Sequence, residues 1–214
     1  MAEFPTTFTE PHYINPTEIP AHLAGPFVDL GRKGIVMVAG IEPANVEDLT
    51  KIAGQEGVLE YCPKDIATRW TDIPTTQKQL AKDGGRGVFR AESIDTGDTV
   101  AFGWTGKSSD EERAYLPACE NTFALRANEA YRGQGLGRHV SRAIVAGSMF
   151  FYGARKIGLE TWASNTPAVR SYLGASAVLV TTQDSMRPTR VPEHQDANGM
   201  RRDVRLYMQY PWSM

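Results

Sequence analysis

The stretch Tyr131-Arg132-Gly133-Gln134-Gly135-Leu136-Gly137-Arg138 constrains this chain more than any other. Three alternate glycines follow a strand-like run, 122–127, and lead into a long helical pattern. Leu136, Val140, Ala143, Ile144, Gly147 and Phe151 repeat at the spacing of one helix face, and Gly153 stands where a helix C-cap belongs. A strand, a glycine turn and an amphipathic helix in that order aim successive backbone N–H groups at one point. The helix N-terminus adds its unbonded donors and partial positive charge, which suits a diphosphate. Arg132 and Arg138 are placed to add charge-assisted hydrogen bonds. No lysine follows the glycines, so this is not a Walker A loop. It is not G-x-G-x-x-G either, because position 138 is arginine.

Short strands and helices surround this unit. Residues 35–39 are apolar and read as a buried strand ending at Gly40. Pro43 opens a helix in which Val46, Leu49, Ile52 and Ala53 share a face, and two short helices are expected between about 63 and 83. Residues 88–94 and 99–104 flank Asp95-Thr96-Gly97-Asp98 as a hairpin, and 107–113 read as a polar loop. After the glycine loop and its helix come a strand at 156–162, a helix at about 167–173 and a strand at 177–182. Residues 183–203 read as a long polar excursion and 204–210 as a closing strand. The order β-α-α-β-β-β-α-β-α-β-β is an α/β (α+β) layout with an antiparallel meander, unlike a regular βαβ alternation. Residues 1–33 carry Pro5, Pro11, Pro16, Pro20 and Pro26 and read as an extended N-terminal arm, leaving 34–214 as the folded domain.

Composition excludes several classes. A chain of 214 residues, 41% hydrophobic and 22% charged, is neither a disordered tail nor a collagen-like repeat. A net charge of −2 supplies no broad field for DNA or RNA. The charge is uneven, with 10 basic and 15 acidic side chains over 1–107 against 13 and 10 over 108–214, so the half with the glycine loop leans basic. Cys62 and Cys119 fit neither a disulfide framework nor a zinc spacing, and His12, His22 and His194 have no metal spacing among them. No metal is expected. Residues 1–26 lack the basic and apolar regions of a secretory signal, and no apolar run approaches the ~18–20 residues of a membrane span. A cytoplasmic protein is the expectation.

Arg132-Gly133-Gln134-Gly135-Leu136-Gly137 resembles the [Q/R]-x-x-G-x-[G/A] loop of the GNAT superfamily of N-acetyltransferases. A second block, Leu159-Glu160-Thr161-Trp162-Ala163-Ser164-Asn165-Thr166-Pro167-Ala168-Val169-Arg170-Ser171-Tyr172, looks like the family's L-E-x-x-x-x-N-x-x-A-[I/V]-x-x-Y segment. Its nearest local likeness is to the ribosomal-protein alanine N-acetyltransferases. The matches cover roughly 122–180. The chain departs from the family after Tyr172, where Leu173-Gly174-Ala175-Ser176-Ala177 replaces the usual Gly-Phe pair. The resemblance implies a mixed, mostly antiparallel twisted sheet flanked by helices, with 34–214 as the acetyltransferase domain. It implies acetyl-coenzyme A as co-substrate, its diphosphate held by Arg132, Gly133, Gln134, Gly135, Leu136, Gly137 and Arg138. The implied reaction is direct transfer to a primary amine in a ternary complex. The acceptor is a peptide amino terminus, a lysine or a small amine; a homodimer is compatible. An inactive acyl-coenzyme A-binding regulatory module, or transfer of another acyl group, is the alternative.

Acyl transfer to an amine needs a base, a donor for the charge that builds on the thioester oxygen, and a proton for the leaving thiolate. The family's oxyanion donor is a backbone N–H that maps to Leu125, Arg126 or Ala127. Glu160, on the strand opposite in direction to Leu159 and Thr161, is the first choice for general base. Its bland alternative is a salt-bridged strand residue. Glu120, at the start of the strand before the loop, is a second choice. Tyr172 is the candidate general acid or a packing tyrosine, and Asn165 binds the pantetheine arm, caps a helix, or does both. Glu129 lies too near the phosphate loop to be the base, and His139 reads as a packing or phosphate-adjacent residue rather than a catalyst. Trp104 and Trp162 are core aromatics or acceptor-pocket walls.

Overall fold

The computed structural model describes residues 11–41, 43–63, 87–189 and 191–211. An eight-stranded sheet joins β1 (His12–Tyr13), β2 (Ile35–Ala39), β3 (Gly87–Ser93), β4 (Thr99–Lys107), β5 (Asn121–Ala127), β6 (Ile157–Trp162), β7 (Val178–Pro188) and β8 (Met200–Gln209). Their order is β1-β2-β3-β4-β5-β6-β8-β7. Every neighbouring pair is antiparallel except β5 with β6. Six α-helices accompany it among the described residues: α1 (Ala21–Gly31), α2 (Pro43–Ala53), α3 (Glu56–Leu59), α4 (Asp110–Tyr115), α5 (Gly137–Tyr152) and α6 (Thr166–Gly174).

The sheet is covered on both faces. Val88, Phe102 and Trp104 pack with Val46, Leu49 and Ile52 of α2. Phe89, Ala91, Ala101 and Phe123 face the other way, onto Leu23, Phe27 and Leu30 of α1 and Val140, Ala143 and Ile144 of α5. Burial on both sides leaves β2–β4 apolar almost throughout, which is why they read as strands in the sequence. α5 ends as its spacing requires, with Gly153 left-handed at φ 59°.

Three expectations are corrected. The extended arm over 1–33 is not extended in its described part: 12–13 pair with β2, and 21–31 form α1. Leu23, Phe27 and Leu30 are a helical stripe that the prolines obscure. Pro20 precedes the first turn, and Pro26 sits inside the helix, where its missing N–H forfeits a single bond. The loop over 107–113 contains the start of α4, set by a capping box in which the Ser109 hydroxyl accepts from Glu112 N–H and the Glu112 carboxylate accepts from Ser109 N–H. The excursion over 183–203 is shorter than expected, because β7 runs on to Pro188 and β8 begins at Met200. Both strands lie near the sheet edge with polar side chains exposed, so no apolar run announces them. The two helices expected between about 63 and 83 fall almost wholly on 64–86, outside the described residues.

Candidate active site

β5 and β6 pair only at Asn121–Ile157 and Thr122–Gly158, then part. Asn128 N–H donates to the Val100 carbonyl at 2.9 Å, so strand alternation turns the N–H groups of Leu125 and Ala127 toward the opening rather than toward β4. The gap belongs to a cavity of about 1610 Å³. Single-ligand sites usually span ~300–1,000 Å³, so this one has room for two substrates at once.

The glycine loop forms one end. Gly133 and Gly135 have φ of 77° and 72°, a region closed to most side chains. Among the described residues, the N–H groups of Gly133 through Arg138 donate to no backbone acceptor, and Leu136 offers no side-chain cap to α5. A Cβ on Gly137 would lie 2.3 Å from Ser171 Oγ, so that glycine lets α5 and α6 close together behind the loop. Arg132, Gly133, Gly135, Leu136, Gly137 and Arg138 all line the cavity. Gln134 does not: its side-chain amide folds back on the Ala130 carbonyl at 3.4 Å, so it joins the loop with its main chain alone. Glu129 accepts from Gly57 N–H at 2.8 Å and Arg132 at 3.2 Å, bracing the loop against α3.

Asn165 caps α6, accepting from Ala168 N–H at 3.4 Å, and lines the cavity from there. Tyr172 on α6 is buried, edge-on to Phe123 at 5.7 Å, and also reaches the cavity wall. Burial pushes its phenol up to about 12, with nearby Arg126 opposing and Cys62 reinforcing the rise. Glu160 faces the cavity from β6. Protein crowds its carboxylate, and this desolvation raises its pKa; Arg205, 3.3 Å away, opposes the rise, and Glu112 and Glu111 on the rim add to it. Glu120 does not join the site. It is exposed, one residue before β5, at the end of that strand far from the glycine loop. Arg126 enters with its side chain, 5.0 Å above Trp104, while its N–H faces β4. His139 is held between α5 and Asp29 of α1, away from the cavity.

Of the acceptor wall, opposite the loop, the sequence offers only Trp104 and Trp162; Tyr61, Cys62, Arg187 and Arg205 are added by the structure. Arg187 is fully buried and bonds to Asp203 at 2.8 Å, to the Glu60 carboxylate at 2.9 Å and to the Glu60 carbonyl at 2.8 Å. Tyr61 bonds to the Ser164 carbonyl at 3.1 Å. These bonds fasten the segment after α3 to β7, β8 and the turn before α6.

No protein-family model matches the chain, and no curated protein does. Solved structures do. A spermidine N-acetyltransferase from Vibrio cholerae, with CoA and spermine bound, aligns at 14% identity and TM-score 0.58, over 83% of this chain and 96% of its own. The fold is that of the GNAT acetyltransferases. An aminoglycoside acetyltransferase complexed with coenzyme A and kanamycin aligns at 17% identity, TM-score 0.55, over 81% and 94%. A GNAT-family acetyltransferase from Bacillus anthracis gives 14%, 0.55, 81% and 93%. Within the GNAT fold, no helix among the described residues is long and apolar enough to cross a membrane, and no cluster of three or more His, Cys, Asp or Glu side chains is placed to hold a metal.

Proposed function

We propose that this chain transfers the acetyl group of acetyl-coenzyme A to a primary amine, both substrates being bound together. One observation carries the reading: the run of unpartnered amides from Gly133 to Arg138 opens into the gap between β5 and β6, and the gap leads to Glu160. The amides, with Arg132 and Arg138, bind the diphosphate. The Leu125 and Ala127 N–H groups bond to the arm and to the oxygen that gains charge.

Glu160 takes one proton from the acceptor ammonium. The neutral nitrogen attacks the carbonyl carbon, the N–C bond forms, the C–S bond breaks, and a second nitrogen proton ends on sulfur. Burial raises the Tyr172 phenol to about 12, which makes it a weaker acid than a thiol. Tyr172 therefore acts as a hydrogen-bond donor to the departing thiolate. The unit that does this includes α1, which packs into the same core as α5. Neighbours of this fold are described with spermidine and aminoglycosides, amines both, which supports an amine acceptor.

Calorimetry of coenzyme A binding to the wild type and to Gly135→Asp tests the site. Binding that the substitution abolishes, with acetyl-coenzyme A consumed only when an amine is added, is the expected result. Equal affinity in both proteins would remove the glycine loop from the site. Binding without consumption would leave a coenzyme-binding module.

A further inference from the structure

Among the described residues, three aromatic rings of the cavity's acceptor end, those of Trp104, Trp162 and Tyr61, each carry a guanidinium of the chain itself. Arg126 lies 5.0 Å from the Trp104 ring, Arg205 4.5 Å from Trp162, and Arg187 4.8 Å from Tyr61. On each of these rings an incoming cation would compete with a guanidinium already in place. The carboxylates are equally committed. Glu60 is bonded by Arg187 at 2.9 Å and Thr189 at 2.8 Å. Glu129 and its neighbour Glu56 stand by the glycine loop. Among the described lining residues, Glu160 alone remains to receive an ammonium, so a polycation is poorly served.

The partner of Glu160 is held less tightly than the buried arginines are. The inner ion pairs are tight: 2.8 and 2.9 Å for Arg187, and 2.8 Å for Arg90 with Glu92. Arg205 instead stands 3.3 Å from Glu160 and 3.9 Å from Glu111, beyond the ~2.7–2.9 Å of a formed charge-assisted bond. A quarter of its side chain is exposed, one face lies over Trp162, and it lines the cavity together with Glu160. A carboxylate and a guanidinium spaced this way complement an ammonium and a carboxylate one carbon apart.

Resting on the acetyl-transfer reading, we propose that the acceptor is an amino acid or a closely similar zwitterion: its amine meets Glu160 and its carboxylate meets Arg205. Neutralising Arg205 in this way also removes the cation that opposes proton uptake by Glu160.

The test is acetyl-coenzyme A turnover with matched sets, each of the common amino acids beside its α-carboxamide and its decarboxylated amine, with spermidine as the polycation. At least one acid should exceed its amide by about tenfold or more in kcat/KM, the scale of a lost hydrogen bond to a charged group. Arg205→Gln should collapse that ratio toward one, chiefly through the acceptor KM, and leave coenzyme A affinity unchanged in calorimetry. Arg205→Lys should recover part of the ratio. Amides, simple amines or spermidine that match the acids, or a ratio that survives Arg205→Gln, would overturn the acceptor class while the transfer reading stands. Coenzyme A binding with no amine acetylated would instead remove both.

Discussion

Glu160 concentrates the chemistry at the residue scale. Desolvation holds its carboxyl above the ordinary range, so on acidification it takes up its proton earlier than a surface glutamate does. Activity should then fall along an acid limb above the usual ~4.3, and be full on the alkaline side of it. Glu160→Gln should lower kcat by at least about a hundredfold near neutral pH and abolish the limb. A pH profile of kcat/KM for both proteins checks this; an unchanged kcat with a raised acceptor KM would make Glu160 a binding contact instead. Ser176 makes a separate claim. It follows α6 with φ 74° and is exposed. A left-handed residue with a Cβ costs roughly 1–2 kcal/mol, so Ser176→Gly should stabilise the protein by up to about 1 kcal/mol in urea unfolding without altering turnover.

Single residues also decide what could be read beforehand. Gly133 and Gly135 were legible because their backbone conformation admits almost no other residue, so need and sequence coincide. Arg187 was not, since nothing near it announces a partner 127 positions away.

Arg187 belongs to the scale of elements. It closes the acceptor wall by joining β7 to β8 and to the segment after α3. Burial would raise the Asp203 pKa, yet its bonds to Ser164, Arg187 and Val204 N–H win and hold it below the ordinary value. A depressed carboxyl contributes stability above its unfolded pKa of ~3.9 and loses it as pH falls through the folded value. Arg187→Met leaves Asp203 and Glu60 buried without their cation and should cost about 3–5 kcal/mol. Chemical denaturation at pH 7 measures that cost, and the loss should shrink at pH 3–4 as the carboxylates neutralise. An equally stable variant would show that the clamp is dispensable. Elements covered on both faces, β2–β4 and α5, were plain in the sequence because burial fixes their pattern. α1, α4 and the outer halves of β7 and β8 were hidden by prolines, by a run too short to show a period, and by exposure.

For the whole molecule, the meeting of β5 and β6 matters most. Two residue pairs join them, while β4 with β5 and β6 with β8 are bonded along their length. A tear already opened in a fabric sets where it next gives way. Here the weak line falls where the substrates enter, so thermal motion between the two sides of the sheet is spent on breathing the cleft rather than on loosening the core. Deuterium exchange should show it as rapid labelling at Leu125 and Ala127, whose N–H groups lack a strand partner, beside slow labelling at Ala124 and Arg126, which bond to β4. Saturating coenzyme A should slow the first pair markedly and leave the second as it was. The coenzyme would then be the stitch across the tear.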